Sequence, residues 1–510
     1  MEDDSSKLKK NNKFVKDMTE GEPLCLLFEF AIPLLIGNIF HQLYNLTDSI
    51  VVGRYLGKLP LGAVGATSAL SALIHSLTSG LSIGIGIIVA QYFGAKDEQK
   101  VKNTIGNSYY IMFFSSLLMG LIGFIFAGPI LSLLKTPKDT FPFAVTYLRT
   151  ISIGFIPSSM FGTISSILRA LGDSKTPLIF SIISCIINIF LDIIMVIKFN
   201  MGIMGVGIST SVSHFISAFL CFIYANLSNS YFRLKFEDFI YSNDIFCKTI
   251  KVGVPMALQN SFIALSLIAI QRVINQFGSD YVTSFTIIGR INMFVHHPYM
   301  SLGAAVATYT GQNIGAGKEE RVKLGYIKAI RCTSLFALVI FILFQTFTKN
   351  IIEIFVNDPS VIKIASQGLR FTCTFYIFLG FIHITRNLLN GAGDTRFSMI
   401  NGMVECFARV CFSKPLTMIP FLGFKGIWIT TGITWFSNGM FCVLRYKQGK
   451  WKTLSLVNNK YRGKHCKQVT FSPSELQYTH LSTPPSATLP HVKHLLLFFP
   501  LKWVISQVSH

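Results

Sequence analysis

Three sets of polar side chains recur at helical spacing inside stretches that are otherwise apolar. His41, Asn45 and Asp48 fall at i, i+4 and i+7. Ser181, Ser184, Asn188 and Asp192 continue the same rhythm further along, as do Thr210, His214 and Ser217. Each set forms one stripe on a helix. An ionisable group at the centre of an apolar helix costs about 2.5–3.5 kcal/mol on insertion scales, so such residues are functional candidates by default. Two carboxylates (Asp48, Asp192), the amide of Asn188 and the hydroxyl of Thr210 make an all-oxygen set that suits a hard cation. The same two acids could instead share a proton, because like charges close together in a low dielectric cannot both stay ionised. Sodium and proton readings are both open at this point. The bland alternative places Asp48 beside Arg54, and Asp192 near Lys198, as solvated residues at a membrane interface.

The elements that must carry these stripes are set by composition. Of the 510 residues, 51% are hydrophobic, 13% aromatic and only 14% charged. Uncharged runs long enough to cross about 30 Å of hydrocarbon recur along the chain. The sequence therefore predicts an all-α integral membrane protein with twelve transmembrane helices, near 28–52, 61–92, 104–128, 142–168, 177–197, 205–226, 252–277, 282–313, 326–348, 363–385, 398–413 and 424–444. Small residues four apart (Ser76, Gly80, Gly84) suit close packing in the second span. Pro415 and Pro420 interrupt the apolar end of the eleventh.

A net charge of +21 would suggest nucleic acid in a soluble chain. Here Lys and Arg gather in the N-terminal segment, after even-numbered spans and at Arg445–Lys452, which reports topology and places both ends of the transporter-like region in the cytoplasm. The ten cysteines are dispersed without CxxC spacing and read as small buried hydrophobes. The polar N-terminus runs straight into a long span, with no cleavable signal peptide.

Comparison of the chain with itself is more informative. The stretch VAQYFGAKDEQKVK lies over YTGQNIGAGKEERVK, pairing Gln91, Gly94, Ala95, Glu98, Val101 and Lys102 with Gln312, Gly315, Ala316, Glu319, Val322 and Lys323, always 221 residues apart. The same offset carries His75 to His296 and Gly172-Asp173 to Gly393-Asp394. Six spans per copy is an even number, so the copies share one orientation and form a parallel repeat of two six-helix lobes. The expected units are a cytoplasmic segment 1–23, an N-lobe 24–228, a linker 229–251, a C-lobe 252–446 and an atypical tail 447–510. The copies have diverged chemically. The offset takes Asn188 to Arg409 and Asp192 to Ser413, and Glu405 stands four residues before Arg409 in the spacing of a helical ion pair.

FAIPLLIGNIFHQLYNLTDSIVVGRYLG, the AQYFGAKD and GQNIGAGKEE loops, LRALGDSKTP with its repeat partner and the NIFLD stretch together resemble the multidrug and toxic compound extrusion (MATE) family, over about Glu22–Leu456. The resemblance implies a two-lobed antiporter of the plasma membrane (cell inner membrane) that exports organic cations, drugs or other amphipathic small molecules in exchange for Na+ or H+. It implies an ion-coupling site at Asp48, Asn188, Asp192 and Thr210, which is also where Na+ would bind, and a helix-bending proline at Pro33. Residues His41, Tyr44, Asn45 and Ser184 are expected to line the substrate path. The C-lobe acids that one branch of the family uses are absent. No cofactor is expected beyond the coupling ion, and the partners are small amphipathic or cationic substrates and the lipid bilayer, with no nucleic acid and no nucleotide, for a monomer. The alternative within the superfamily is a flippase of lipids or lipid-linked oligosaccharides, which needs several cavity arginines or lysines for pyrophosphate; Arg149, Arg272, Arg290 and Arg409 are the candidates within spans. An enzyme is not expected: there is no HExxH, and Gly315-Ala316-Gly317-Lys318 is followed by Glu319 where a phosphate-binding loop needs Ser or Thr.

Overall fold

In the computed structural model, residues 14–134 and 136–457 are described. They form an all-helical bundle: α1 (Pro23–Val51), α2 (Lys58–Gly94), α3 (Glu98–Ile125), α4 (Ala127–Leu133), α5 (Phe141–Ala170), α6 (Lys175–Ile193), α7 (Gly202–Ser228), α8 (Asn243–Ile274), α9 (Ser279–Gly315), α10 (Glu319–Glu353), α11 (Pro359–Cys373), α12 (Tyr376–Gly391), α13 (Thr395–Met418) and α14 (Lys425–Lys447). Starts are set by local chemistry. The side chains of Asp97, Ser242 and Asp358 accept backbone N–H groups in the first turns of α3, α8 and α11, and Pro23 and Pro359 supply a pre-set φ where no amide donor is required.

Among the described residues nine helices are long and apolar enough to cross a membrane, or ten when α11 and α12, bent by 50° at Cys373–Tyr376, are joined into one broken span. The bend falls inside the expected tenth span, which therefore is not one straight helix. The positions of the eighth and eleventh spans are occupied by the long helices α9 and α13, which are less apolar: α9 carries Asp280, Arg290, His296 and His297, and α13 carries Arg396, Glu405, Arg409 and Lys414. Pro415 does not end α13, which runs on to Met418. The outer surface displays large apolar side chains such as Phe114, Phe190, Phe219 and Leu227, as a lipid-facing surface requires. Of the expected tail, 447–510, residues 447–457 are described and include a 3-10 turn at Lys450–Thr453; the remainder, from 458, lies outside the described residues.

The repeat is written into the backbone as well as the sequence. Gly57 and Gly278, which separate the first two helices of each half, both have positive φ (87° and 99°), as do Gly172 and Gly393 (87° and 95°). Each pair is related by the 221-residue offset.

The two halves meet through small residues. Gly80 and Gly84 of α2 lie directly against Ala257 and Gly253 of α8, leaving no room for a Cβ, and Ser76 hydrogen-bonds Ser261 at 3.0 Å. At one end of the bundle the contacts are reciprocal. Gly94 abuts the backbone of Gln312, and Gly315 abuts the backbone of Gln91. Gln91 donates to the carbonyl of Gly391 and Gln312 to that of Ala170, each at 2.9 Å. Each glutamine oxygen then accepts a backbone amide from a segment flanking the bundle: Leu456 N–H on Gln91 at 2.8 Å and Met18 N–H on Gln312 at 2.7 Å. Residues 16–18 and 454–456 are therefore equivalent straps. The first also binds Leu171 O through Lys16 N–H, and the second packs Leu454 O against Gly393. This seam is called the strapped end below.

Helix α1 belongs to both halves. Its first turns, with Leu26, Leu27, Phe30 and Ala31, are buried in a core with Leu302, Tyr309 and Tyr326 of α9 and α10, and Asn38 donates to Ser301 at 3.1 Å. Its far end packs against α6 and α7. Pro33 is buried within the continuous helix, in the stretch that packs on α9 and α10.

Candidate functional site

At the end of the bundle remote from the straps, α1, α6 and α7 converge on the predicted acids. Asp48 is 8% exposed, and Asp192 and Asn188 are fully buried, which sets aside the reading of solvated acids at an interface. The two carboxyls face one another closely enough for a hydrogen bond once either carries a proton, with the Tyr44 hydroxyl beside Asp48 and the Ser209 hydroxyl beside Asp192. One oxygen of Asp48, both oxygens of Asp192 and both polar atoms of the Asn188 amide are shielded from solvent and have no hydrogen-bond partner among the described residues. Neither acid forms an ion pair among the described residues; pairs such as Arg409–Glu405 and Arg445–Asp394 of the second half lie elsewhere.

Two irregularities hold this pocket. Just beyond Asp48 the chain passes into a π-helical turn, Val52–Leu56, and just beyond Asp192 into another, Ile194–Lys198. Such wide turns inside helices often mark functional sites. Val52 and Val196 of these turns and Val51 at the end of α1 form a buried cluster with Val206 of α7, flanked by Leu56, Val64 and Tyr147.

The α1 stripe has an edge. Tyr44 and Asp48 are buried, and Tyr44 donates to Thr210 Oγ1 at 3.2 Å. His41 and Asn45 are exposed, and the Asn45 amide donates to the His41 carbonyl at 3.0 Å with its ring nitrogen at 3.3 Å. His41 stands within electrostatic reach of His75 on α2 and His297 on α9, so this edge faces both halves of the repeat. Ser184 is buried on the same face of α6 as Asn188, and Thr210 reaches the acids by way of Tyr44. The hydroxyl beside Asp192 comes from Ser209, which sequence spacing did not single out because it lies one residue off the Thr210–His214–Ser217 stripe. Among the described residues no group of three or more His, Cys, Asp or Glu side chains could hold a metal ion; a Na+ in this pocket would depend on two carboxylates together with amide and hydroxyl oxygens, and the unpartnered oxygens of Asp48, Asp192 and Asn188 fit that requirement.

The second half builds a different interior. Arg409 Nη2 pairs with Glu405 Oε1 at 2.9 Å, as the i,i+4 spacing predicts, with both residues buried. Asn438 donates to the other Glu405 oxygen at 3.0 Å, and Arg409 Nη1 to Ser266 Oγ at 3.3 Å.

The profile of the MatE family matches residues 33–194 and 255–413, one segment in each half of the repeat. The chain belongs to the MATE family of multidrug efflux transporters. It is 30% identical over 452 residues to the probable multidrug resistance protein YpnP of Bacillus subtilis, covering 87% of this chain and 99% of that protein. It is 24% identical to the probable multidrug resistance protein NorM of Thermotoga maritima, over 85% of this chain and 94% of that one. Among solved structures it superposes with a TM-score of 0.78 on a MOP superfamily transporter from Pyrococcus furiosus, at 23% identity and covering 87% of this chain and 98% of that chain. Its architecture is thus that of MATE transporters, with the acid pocket of α1, α6 and α7 in the first half of the repeat.

Proposed function

We propose that this MATE protein is a cation-coupled antiporter that exchanges Na+ or H+ for organic cations, drugs or other amphipathic molecules, by alternating access between an N-lobe (24–228) and a C-lobe (252–446) joined by the linker 229–251. The observation that carries this reading is the buried meeting of Asp48 and Asp192 beside the unpartnered amide of Asn188. Two negative charges this close and this dry are costly unless a positive species joins them. A proton held between the carboxyls, or a Na+ drawing on them with Asn188 and the hydroxyl of Thr210 or Ser209, meets that need.

Helix α1 supplies the mechanical link. A cation arriving at Asp48 draws the far end of α1 toward α6 and α7, while its first turns stay anchored to α9 and α10. The anchored part of the helix holds Pro33, which lacks a backbone donor and eases bending at that point. Such motion reshapes the edge of α1 at His41, Tyr44 and Asn45 and so lowers affinity for the exported compound. Exchange requires only that the two ligands favour different conformations, with a coupling free energy of order 1–3 kcal/mol. In this reading the strapped end faces the cytoplasm of a cell whose plasma membrane houses the protein, in keeping with the lysines and arginines around it.

The test is dye efflux by purified protein in vesicles, with Na+ and pH gradients imposed separately. The Asp48→Asn variant should insert and bind dye but lose gradient-driven transport. Undiminished coupling in that variant would refute the assignment.

A further inference from the structure

Arg386 of α12 is an intramembrane arginine with no carboxylate within ion-pair distance among the described residues. The expected tenth span stopped at 385, one residue short of it. The amide oxygen of Gln259 on α8, in the orientation its neighbours require, accepts both Nη1–H and Nε–H of Arg386 at 3.1 Å. Arg386 acts electrostatically on His296 of α9, His383 of its own helix and Cys442 of α14. It therefore lies among α8, α9 and α14, yet it and His296 both keep some accessible surface. His296 also feels Arg409 and lies edge-on to His383 and tilted against Trp435, at ring separations of 5.8 Å each. Its Nε2 and the Nε of Arg409 are shielded and unpartnered. With Glu405 neutralising Arg409, one positive charge in this interior is left without a counter-charge.

The polarity is the inverse of the first half. The repeat offset places Arg409 where the N-lobe has Asn188, and Trp435 where it has His214. An arginine held by a neutral amide retains free N–H donors in a planar fork that matches a carboxylate.

We propose that Arg386, with Gln259, His296 and His383 in this C-lobe interior, is the point that holds a monoanionic group, a carboxylate, on an amphipathic substrate. A single uncompensated charge suits a carboxylate better than a pyrophosphate, which carries more charge than the site offsets. The proposal rests on the substrate path running between the halves, but not on ion coupling.

The experiment is equilibrium binding to purified protein without any gradient, so that failure of antiport leaves the result unaffected. Rhodamine B, which has a free carboxylate, is compared with its ethyl ester, which shares the ring system and lacks the anion. Wild-type protein should bind the acid more tightly than the ester. Arg386→Gln should weaken the acid about tenfold or more and leave the ester within about twofold, the size expected for a lost charge-assisted hydrogen bond. Unchanged ester binding reports that the variant is folded, and Arg386→Lys, which keeps the charge without the fork, should fall between. Three results would overturn the proposal: no preference for the acid in the wild type, parallel loss of both dyes in the variants, or farnesyl pyrophosphate displacing rhodamine B more strongly than farnesyl carboxylates do, which would move the site to lipid phosphates.

Discussion

Replacing Gly94 with alanine should open the strapped end. A Cβ built at Gly94 stands 1.9 Å from the carbonyl oxygen of Gln312, and one at Gly315 stands 2.0 Å from that of Gln91. Both opposing atoms are backbone, so no side-chain rotation relieves the contact. Real Cβ contacts essentially never fall below 3.0 Å, so α2 and α9 must part by about 1 Å at this seam. Overpacking of this kind costs typically about 1–3 kcal/mol. If the seam is intact in one conformation and broken in the other, that cost moves the population ratio by roughly 5- to 150-fold toward the open form. The two sites should not add: one separation relieves both, so Gly94→Ala/Gly315→Ala should resemble either single variant. Spin labels at Lys100 and Glu320, in a background freed of reactive cysteines, report the distance across the seam. Labelled variants whose distance distribution matches the unsubstituted protein, or a double variant whose shift is the sum of the singles, would refute the reasoning.

The Glu405–Arg409 pair should behave as a unit. Glu405→Gln or Arg409→Gln leaves a buried charge and should destabilise the protein by about 3–5 kcal/mol, while the double variant recovers most of that loss; chemical unfolding of detergent-solubilised protein measures all three, and a double variant as weak as the worse single would contradict the pairing. Gln312→Leu leaves Met18 N–H and Ala170 O without their side-chain partner, and Gln91→Leu does the same to Leu456 N–H and Gly391 O. Each should raise hydrogen exchange of its own strap and spare the other. Glu22, outside the span, is held below the usual carboxylate range chiefly by its hydrogen bond from Lys328. Its contribution to holding the first strap is therefore complete at neutral pH and disappears as pH falls through that lowered value. A spin label at Glu20 should gain mobility only in distinctly acid buffer, and Lys328→Met should abolish the transition.

What was legible in the sequence follows the nature of each signal. The all-helical membrane architecture and the repeat were visible because length of apolar runs and a constant offset need no three-dimensional information. Two helices, α9 and α13, have more polar residues than an ordinary span: Glu405 and Arg409 turn inward as a pair, which only packing explains, whereas Asp280, Arg290, Arg396 and Lys414 are exposed. The acids of α1 and α6 announced themselves as charges in apolar surroundings. The Ser209 hydroxyl beside Asp192 did not, because it shares no stripe with Thr210, and the two π-helical turns that follow the acids leave no mark in residue type. Arg386 was missed for a simpler reason: hydropathy ended the tenth span at 385, whereas hydrogen bonding and packing carry α12 on to Gly391.

The two glutamines of the seam grip main-chain atoms and nothing else of the peptides they hold. Such a clasp registers that a peptide is there without reading its letters, apart from an apolar side chain at Met18 or Leu456 to sit beneath it. The flanking peptides are thus free to drift in sequence, or to be exchanged for one another, so long as a chain of the right length arrives at each clasp.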